Sequence, residues 1–391
     1  MDAECTIPFR RGLAKVVSAA ELRNSEAWTR ALSKQVKDHR FYEIVDETLA
    51  PGFEHHYLVV DDERGEIRAV QPIFFVQQNL VEGVPAMRAA VHFIRRRFPR
   101  FLTMRVLMVG NAAGDGHLGH LVEGDAEWLA TALGEALTTY ARGSQASLVV
   151  FKDFNSRYRD ALRPLVAAGY TRVPSMPMTQ LELRYTSFDD YLNSLSKATR
   201  KDLRRKFRKA GKGPPLQLEV VNDVSRIVDE IYPLYLQVHE RSKLKFETLT
   251  KDYLRELGRR MPDRARFFIW RSEGRIVAFS VALVHNGTIY DDYLGLDYRV
   301  ALEMHLYFLT FRNIIEWSIA EGLDRYLSSP LNYEPKLHLG CDLMPLDLYV
   351  RATSPMMNRI LPPLLKLLEP TRHDRVLQRF PNANELHARS D

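Results

Sequence analysis

The chain has 391 residues, 46% apolar and 27% charged, the composition of a folded globular protein with room for two or three domains. A formal net charge of +6 suits an anionic ligand such as a CoA or a nucleotide, and equally suits plain solubility. Cys5 and Cys341 are too few for a disulfide framework. No apolar run reaches about 18 residues, and the start Met1-Asp2-Ala3-Glu4 is acidic, so a cytoplasmic protein without a transmembrane segment is expected.

In chain order, the first half reads as a strand at Leu13–Val17 and a helix over Ser25–Val36, where Trp28, Leu32 and Val36 recur at helical spacing. Paired strands follow at Tyr57–Val60 and Ile67–Val76, turning at Asp61–Gly65. A helix is expected over Ala86–Phe98, carrying Arg95, Arg96 and Arg97, and then a strand at Met104–Val109. The loop Gly110-Asn111-Ala112-Ala113-Gly114-Asp115-Gly116 sits between strand and helix as a phosphate cradle would, but it fits neither common nucleotide fingerprint and reads equally as a surface loop. A helix at Ala126–Tyr140, a strand at Ser147–Lys152, an amphipathic segment Arg157–Ala168 stopped by Gly169, and a strand at Thr179–Tyr185 close this half.

The order then repeats. Leu216–Val221 reads as a strand, Val224–Arg241 and Tyr253–Arg260 as helices, and Arg266–Trp270 and Arg275–Val284 as strands. His285-Asn286-Gly287 is a hairpin turn, because Asn and Gly both tolerate positive φ, and Thr288–Leu296 is its second strand. After the loop Asp297–Ala301 comes a helix, Leu302–Glu321, ended by Gly322, then strands at Asp324–Ser329 and Leu346–Val350. The fold class expected is α/β with mixed sheets, in two units: 1–188, and 189–352 with a basic helix at 196–212, followed by a helical tail at 353–391. The tail carries Ile360–Leu368 with paired prolines, which suits a capping helix and leaves open a membrane-surface or partner-docking role.

Two stretches resemble a known family. Tyr290, Leu302-Glu303-Met304-His305, Ile315-Glu316-Trp317, Glu321-Gly322-Leu323 and Glu334-x-Lys336 with Gly340 resemble the FemAB-like branch of the GNAT acyltransferases, more narrowly the peptidoglycan biosynthesis/recognition group. Ser194–Arg205 is similar to a segment of the CelD-type acetyltransferases. The resemblance spans residues 190–350 and implies tandem GNAT-like units and transfer of an acyl group from a thioester, acyl-CoA, to an amine of a small molecule, peptide or saccharide. It also implies direct attack, without a covalent enzyme intermediate.

Candidate residues follow. The family holds the CoA pyrophosphate on a glycine-rich loop ahead of the main helix; here Gly295, Leu296, Tyr298, Arg299, Val300, Ala301 and Leu302 occupy that place without the loop glycines, leaving Arg299 and a helix N-terminus for charge. Backbone N–H groups near Gly295 would polarise the carbonyl. Asp291 and Asp292, adjacent in a strand and so on opposite faces, His305 at a helix start, and Glu334 are the candidate bases for an amine, each with a purely structural alternative. Lys336 would bind a donor phosphate or stabilise an oxyanion, and Tyr290, Tyr293, Asn332 and Tyr333 would line the substrate pocket. The run Lys197–Lys212 has nine Lys or Arg around a stripe that includes Leu203 and Phe207, so a helix would dock by the stripe and expose a positive face to an anionic polymer, a tRNA acceptor stem, a lipid surface or solvent. No metal-ligand cluster is readable. Aminoacyl transfer from aminoacyl-tRNA, as in Fem ligases, and a non-catalytic scaffold are the alternatives.

Overall fold

A computed structural model describes residues 5–49, 52–79, 93–94, 96–97, 103–211, 214–242 and 245–388. The helix expected at Ala86–Phe98 falls outside the described residues except at 93–94 and 96–97, and Lys212 falls outside them entirely. Two compact units form: unit 1 runs through Met176 and takes in Pro345–Arg375 and the chain from Asn384, and unit 2 is Pro177–Met344 with Val376–Ala383.

Unit 1 carries β1 (Cys5–Phe9), β2 (Gly12–Val17), β3 (Glu54–Asp62), β4 (Ile67–Asn79), β5 (Thr103–Val109), β6 (Leu148–Asn155) and β7 (Thr171–Pro174). Unit 2 carries β8 (Met178–Glu182), β9 (Leu216–Val221), β10 (Ala265–Ser272), β11 (Arg275–His285), β12 (Thr288–Leu296), β13 (Arg325–Ser328) and β14 (Asp342–Met344), and β15 (Leu346–Ala352) returns to unit 1. The unit 1 sheet has the order β1-β2-β3-β4-β5-β6-β15-β7, and the unit 2 sheet β14-β8-β13-β12-β11-β10-β9.

Each sheet contains one parallel pair bridged by a helix, which is the repeat visible in the sequence. In unit 1 the pair is β5 and β6, joined through helix Ala126–Gly143. Leu129, Leu133 and Leu137 recur every fourth residue and are fully buried among Leu107, Val149 and Phe151. Burial of each contributes about 1.5–3 kcal/mol, so this face fixes the helix on the sheet. In unit 2 the pair is β12 and β13, joined through helix Leu306–Ala320, whose Phe311, Ile314 and Ile315 pack with Phe268, Trp270 and Tyr326.

The expected sheet membership changes at two places. The strand read at Thr179–Tyr185 as closing the first half is β8, and it pairs with β13 and β14 of unit 2. The strand read at Leu346–Val350 as ending the second half is β15, which lies between β6 and β7 of unit 1. Both changes of sheet occur at proline, Pro174 and Pro177 on one side and Pro345 on the other. A proline donates no N–H to a ladder, so prolines at these two points are a local sign of the change of sheet, whereas the partner strand has none.

Candidate active site

The two parallel strands of unit 2 part company early. β12 pairs with β13 only over Thr288–Asp291 against Arg325–Ser328, then runs on to Leu296 beside β11 alone. A bulge in the β11–β12 ladder, where Ala282 faces Asp291 and Val281 faces Tyr293, leaves Asp292 as the extra residue. After β13 the backbone enters the left-handed region at Leu331 (φ 74°) and Asn332 (φ 52°) before the short helix Tyr333–His338. Side chains from these segments converge where the strands separate.

Asp291 is the hub. Its carboxylate accepts hydrogen bonds from Ser280 Oγ and from Tyr326 OH, the latter at 2.7 Å. Burial raises its pKa against these two donors and the nearby Lys336 charge, and Asp292 adds to the rise. Lys336 is 5% exposed and donates from Nζ to the Ser329 carbonyl. Burial pushes its pKa down to about 8, while the neighbouring Cys341 and Asp291 favour the charged form. Burial also lifts the Cys341 thiol to about 12. The Tyr333 ring lies 5.9 Å from Nζ, and its hydroxyl donates to the Pro177 carbonyl at 2.8 Å. The Tyr307 hydroxyl is held above its usual pKa by burial and by Asp291, against the opposing influence of the Asn332 side chain. Asp291, Lys336, Asn332 and Tyr333 are thus brought together, with Ser280, Tyr307, Tyr326 and Cys341 added. Only Ser280 had a sequence signal, as the lone polar residue in the run Ile276–Leu283.

Other candidates lie elsewhere. Tyr293 donates to Glu247 Oε1 at 2.8 Å, and burial, Glu247, Tyr253 and Asp292 hold its hydroxyl well above the usual range. Asp292 therefore keeps company with Tyr253 and Tyr293: the bulge breaks the simple alternation between 292 and 293. Tyr290 sits mid-sheet between Leu283 and Leu327. Glu334 projects to the surface, where it pairs with Arg379 at 2.5 Å. It lies two residues from Lys336, and helical neighbours at that spacing do not share a face.

The expected cofactor loop is closed upon itself. The helix begins at Leu306 rather than Leu302, because His305 takes a left-handed conformation (φ 50°) that ends the preceding turns. Asp297 accepts from Arg299 through the backbone N (3.0 Å), Nε (2.9 Å) and Nη2 (2.7 Å), so Arg299 is paired within the loop. Tyr298 N–H donates to Gln237, Val300 and Ala301 to the Asp297 carbonyl, Met304 to Val300, His305 to Leu302 and Leu306 to Ala301. The backbone donors of residues 298–301 and 304–306 are thereby occupied. Leu302 is exposed and Leu296 buried. Gly295 is a packing residue: a Cβ there would meet the Phe279 ring at 2.1 Å and the Tyr235 backbone nitrogen at 2.9 Å. His305 carries a lowered pKa, first through desolvation and then through Lys209, Lys206 and Arg205 of the basic helix, and its Nε2 is a buried atom without a hydrogen bond.

The basic helix spans Lys197–Ala210, opened by Ser196, whose hydroxyl accepts from Thr199 N–H at 3.2 Å. Asp202 holds its inner side, pairing with Lys206 (2.7 Å) and Arg205 (2.5 Å) and accepting from His338 (3.0 Å), which ties it to the helix that carries Lys336. The outer side is a stripe of Lys197, Arg200, Lys201, Arg204 and Arg208. With Arg312 these cations border a groove of about 620 Å³ floored by Phe188, Leu192 and Phe207. Asp189 is the one acid lining it. Among the described residues no three His, Cys, Asp or Glu gather as a metal site, and no helix is long and apolar enough to cross a membrane.

Residues 197–333 match the model of the acetyltransferase (GNAT) domain family. Comparison with curated proteins finds no match. Three solved structures share the fold at low identity. FemX aligns over 90% of this chain and 98% of its own at 11% identity and a TM-score of 0.53. The C-terminal DUF2156 domain of an Agrobacterium fabrum protein named for lysylphosphatidylglycerol synthesis covers 90% and 97%, at 16% and 0.52. L-PGS from Bacillus licheniformis covers 86% and 97%, at 15% and 0.51. At such identities the likeness is one of fold, and it extends over both units.

Proposed function

We propose that the chain is a GNAT-type transferase of the FemAB-like group, supported by the domain match over 197–333 and by the fold shared with FemX, and that unit 2 moves an acyl group from an activated ester to an amine of a small molecule, peptide or saccharide. The observation that carries this reading is the buried set Asp291, Tyr326 and Lys336 where β12 and β13 separate. The amine nitrogen attacks the acyl carbon, the new C–N bond forms, the bond to the carrier sulfur or oxygen breaks, and the amine proton passes to Asp291, directly or through water. A raised carboxyl pKa makes Asp291 a stronger proton acceptor than an ordinary aspartate. Lys336, charged at neutral pH, offsets negative charge developing on the carbonyl oxygen, and the carrier leaves with the proton.

For the donor, acyl-CoA is the general expectation of the fold. A specific observation favours the second reading, aminoacyl-tRNA: the loop that would clasp a pyrophosphate is internally bonded, whereas the cationic groove offers side-chain partners for several phosphates. Thermal shift with acetyl-CoA, long-chain acyl-CoAs and aminoacyl-tRNA separates them, because a ligand of the folded state raises the midpoint. A shift with aminoacyl-tRNA, reduced in Lys201→Glu/Arg204→Glu, supports the second reading. A shift with an acyl-CoA that ignores those substitutions supports the first. A response to neither, with no turnover, ends the acyl-transfer proposal.

A further inference from the structure

Helix Pro355–Leu368 packs on unit 1 by a narrow inner edge. Leu361 is buried, and Asn358 is pinned from two sides: its Oδ1 accepts from Ala352 N–H, and its Nδ2 donates to the Gly169 carbonyl, both at 3.0 Å. The outer arc is different. Met356, Ile360, Leu364 and Leu367 follow at three- and four-residue spacing along one stripe, flanked by Met357 and Leu368, and all six are exposed, Met356 to 75% and Leu367 to 69%. Six of the thirteen exposed large apolar side chains among the described residues thus sit on this one helix. Arg359 and Lys366, exposed and seven residues apart, border the stripe along one side.

We infer that this face docks the protein onto an anionic lipid surface, lying in the interface with the apolar stripe among acyl chains and Arg359 and Lys366 at the phosphates. An amphipathic helix with a cationic border is the form such interfacial segments take. Charge complementarity selects an acidic surface. The stripe from Met356 to Leu368 is about 18 Å long and, at a helix width of about 10 Å, covers about 200 Å². That is far below the roughly 800 Å² per partner of a stable protein–protein contact, so a second copy of the chain is a poor occupant. The inference is independent of the chemistry assigned to unit 2.

The test is co-sedimentation of the full chain with phosphatidylcholine vesicles, with and without phosphatidylglycerol, for wild type, Ile360→Glu/Leu367→Glu, and Arg359→Gln/Lys366→Gln. These residues are exposed, and circular dichroism checks that the variants fold. Binding to phosphatidylglycerol vesicles that falls at least about tenfold in the glutamate variant, and measurably in the glutamine variant, is expected. Lys201→Gln/Arg204→Gln, in the groove of unit 2, should leave that binding largely intact. Three results overturn the inference: no vesicle binding by wild type, binding that the helix variants leave unchanged while the groove variant abolishes it, or a wild-type oligomer that the glutamate variant turns into monomer without any vesicle binding.

Discussion

Lys336→Met should produce a protein that is more stable and does not transfer acyl groups. The side chain is buried, and burial brings its pKa from an ordinary 10.5 to about 8. A difference of about 2.5 units corresponds to about 3 kcal/mol, the cost of keeping this ammonium buried below pH 8. Replacement by methionine, close in length and apolar, removes that cost and forfeits the bond to the Ser329 carbonyl, worth about 1 kcal/mol. A net gain of about 2 kcal/mol at pH 7 remains. The sign with pH is fixed by the depressed pKa: below about 8 both folded and unfolded chains carry the proton and the full penalty applies, and as pH rises from about 8 to 10.5 the folded lysine sheds its proton first and the penalty fades. Wild type should therefore approach the variant in stability across that window. Urea unfolding of both proteins at pH 7 and pH 9.5 measures the difference. A variant less stable than wild type at pH 7, or a gap that does not narrow at pH 9.5, would refute the reasoning.

Gly295→Val should lower the melting temperature by the equivalent of about 1–3 kcal/mol, since its side chain must displace the Phe279 ring and the backbone at Tyr235; an unchanged melt contradicts the packing role. The His305 imidazole should titrate below the ordinary histidine range in an NMR pH series, and Lys206→Gln/Lys209→Gln should move it back up, because desolvation and those cations both disfavour the charged form. Leu133→Ala in unit 1 should cost about 2–5 kcal/mol by calorimetry, as a fully buried leucine leaves a cavity.

Much of unit 2 is legible from sequence. Asn286 and Gly287 both adopt positive φ, 46° and 68°, and the hairpin closes with His285 opposite Thr288. Lys336 is found through its motif and does prove buried among polar groups. The site's other half is hidden because it depends on pairing between distant strands: Tyr326 reaches Asp291 only once β13 lies parallel to β12, and nothing local announces that register. The bulge at Asp292 is equally silent, since Tyr-Asp-Asp-Tyr reads as plain alternation. The helix start moves from Leu302 to Leu306 because the left-handed turn at His305 has no glycine to announce it. The exchange of β8 and β15 between sheets leaves a local trace only in the prolines where the chain changes sheet.

The central claim is that the Asp291–Lys336 cluster performs the transfer. The most direct measurement is single-turnover acyl transfer by wild type, Lys336→Met and Asp291→Asn, with the donor that gives the thermal shift and with its Kd measured alongside. The account predicts folded variants that bind the donor within a few-fold of wild type and lose transfer by about 100-fold or more. Transfer retained in both variants at wild-type rates would contradict it.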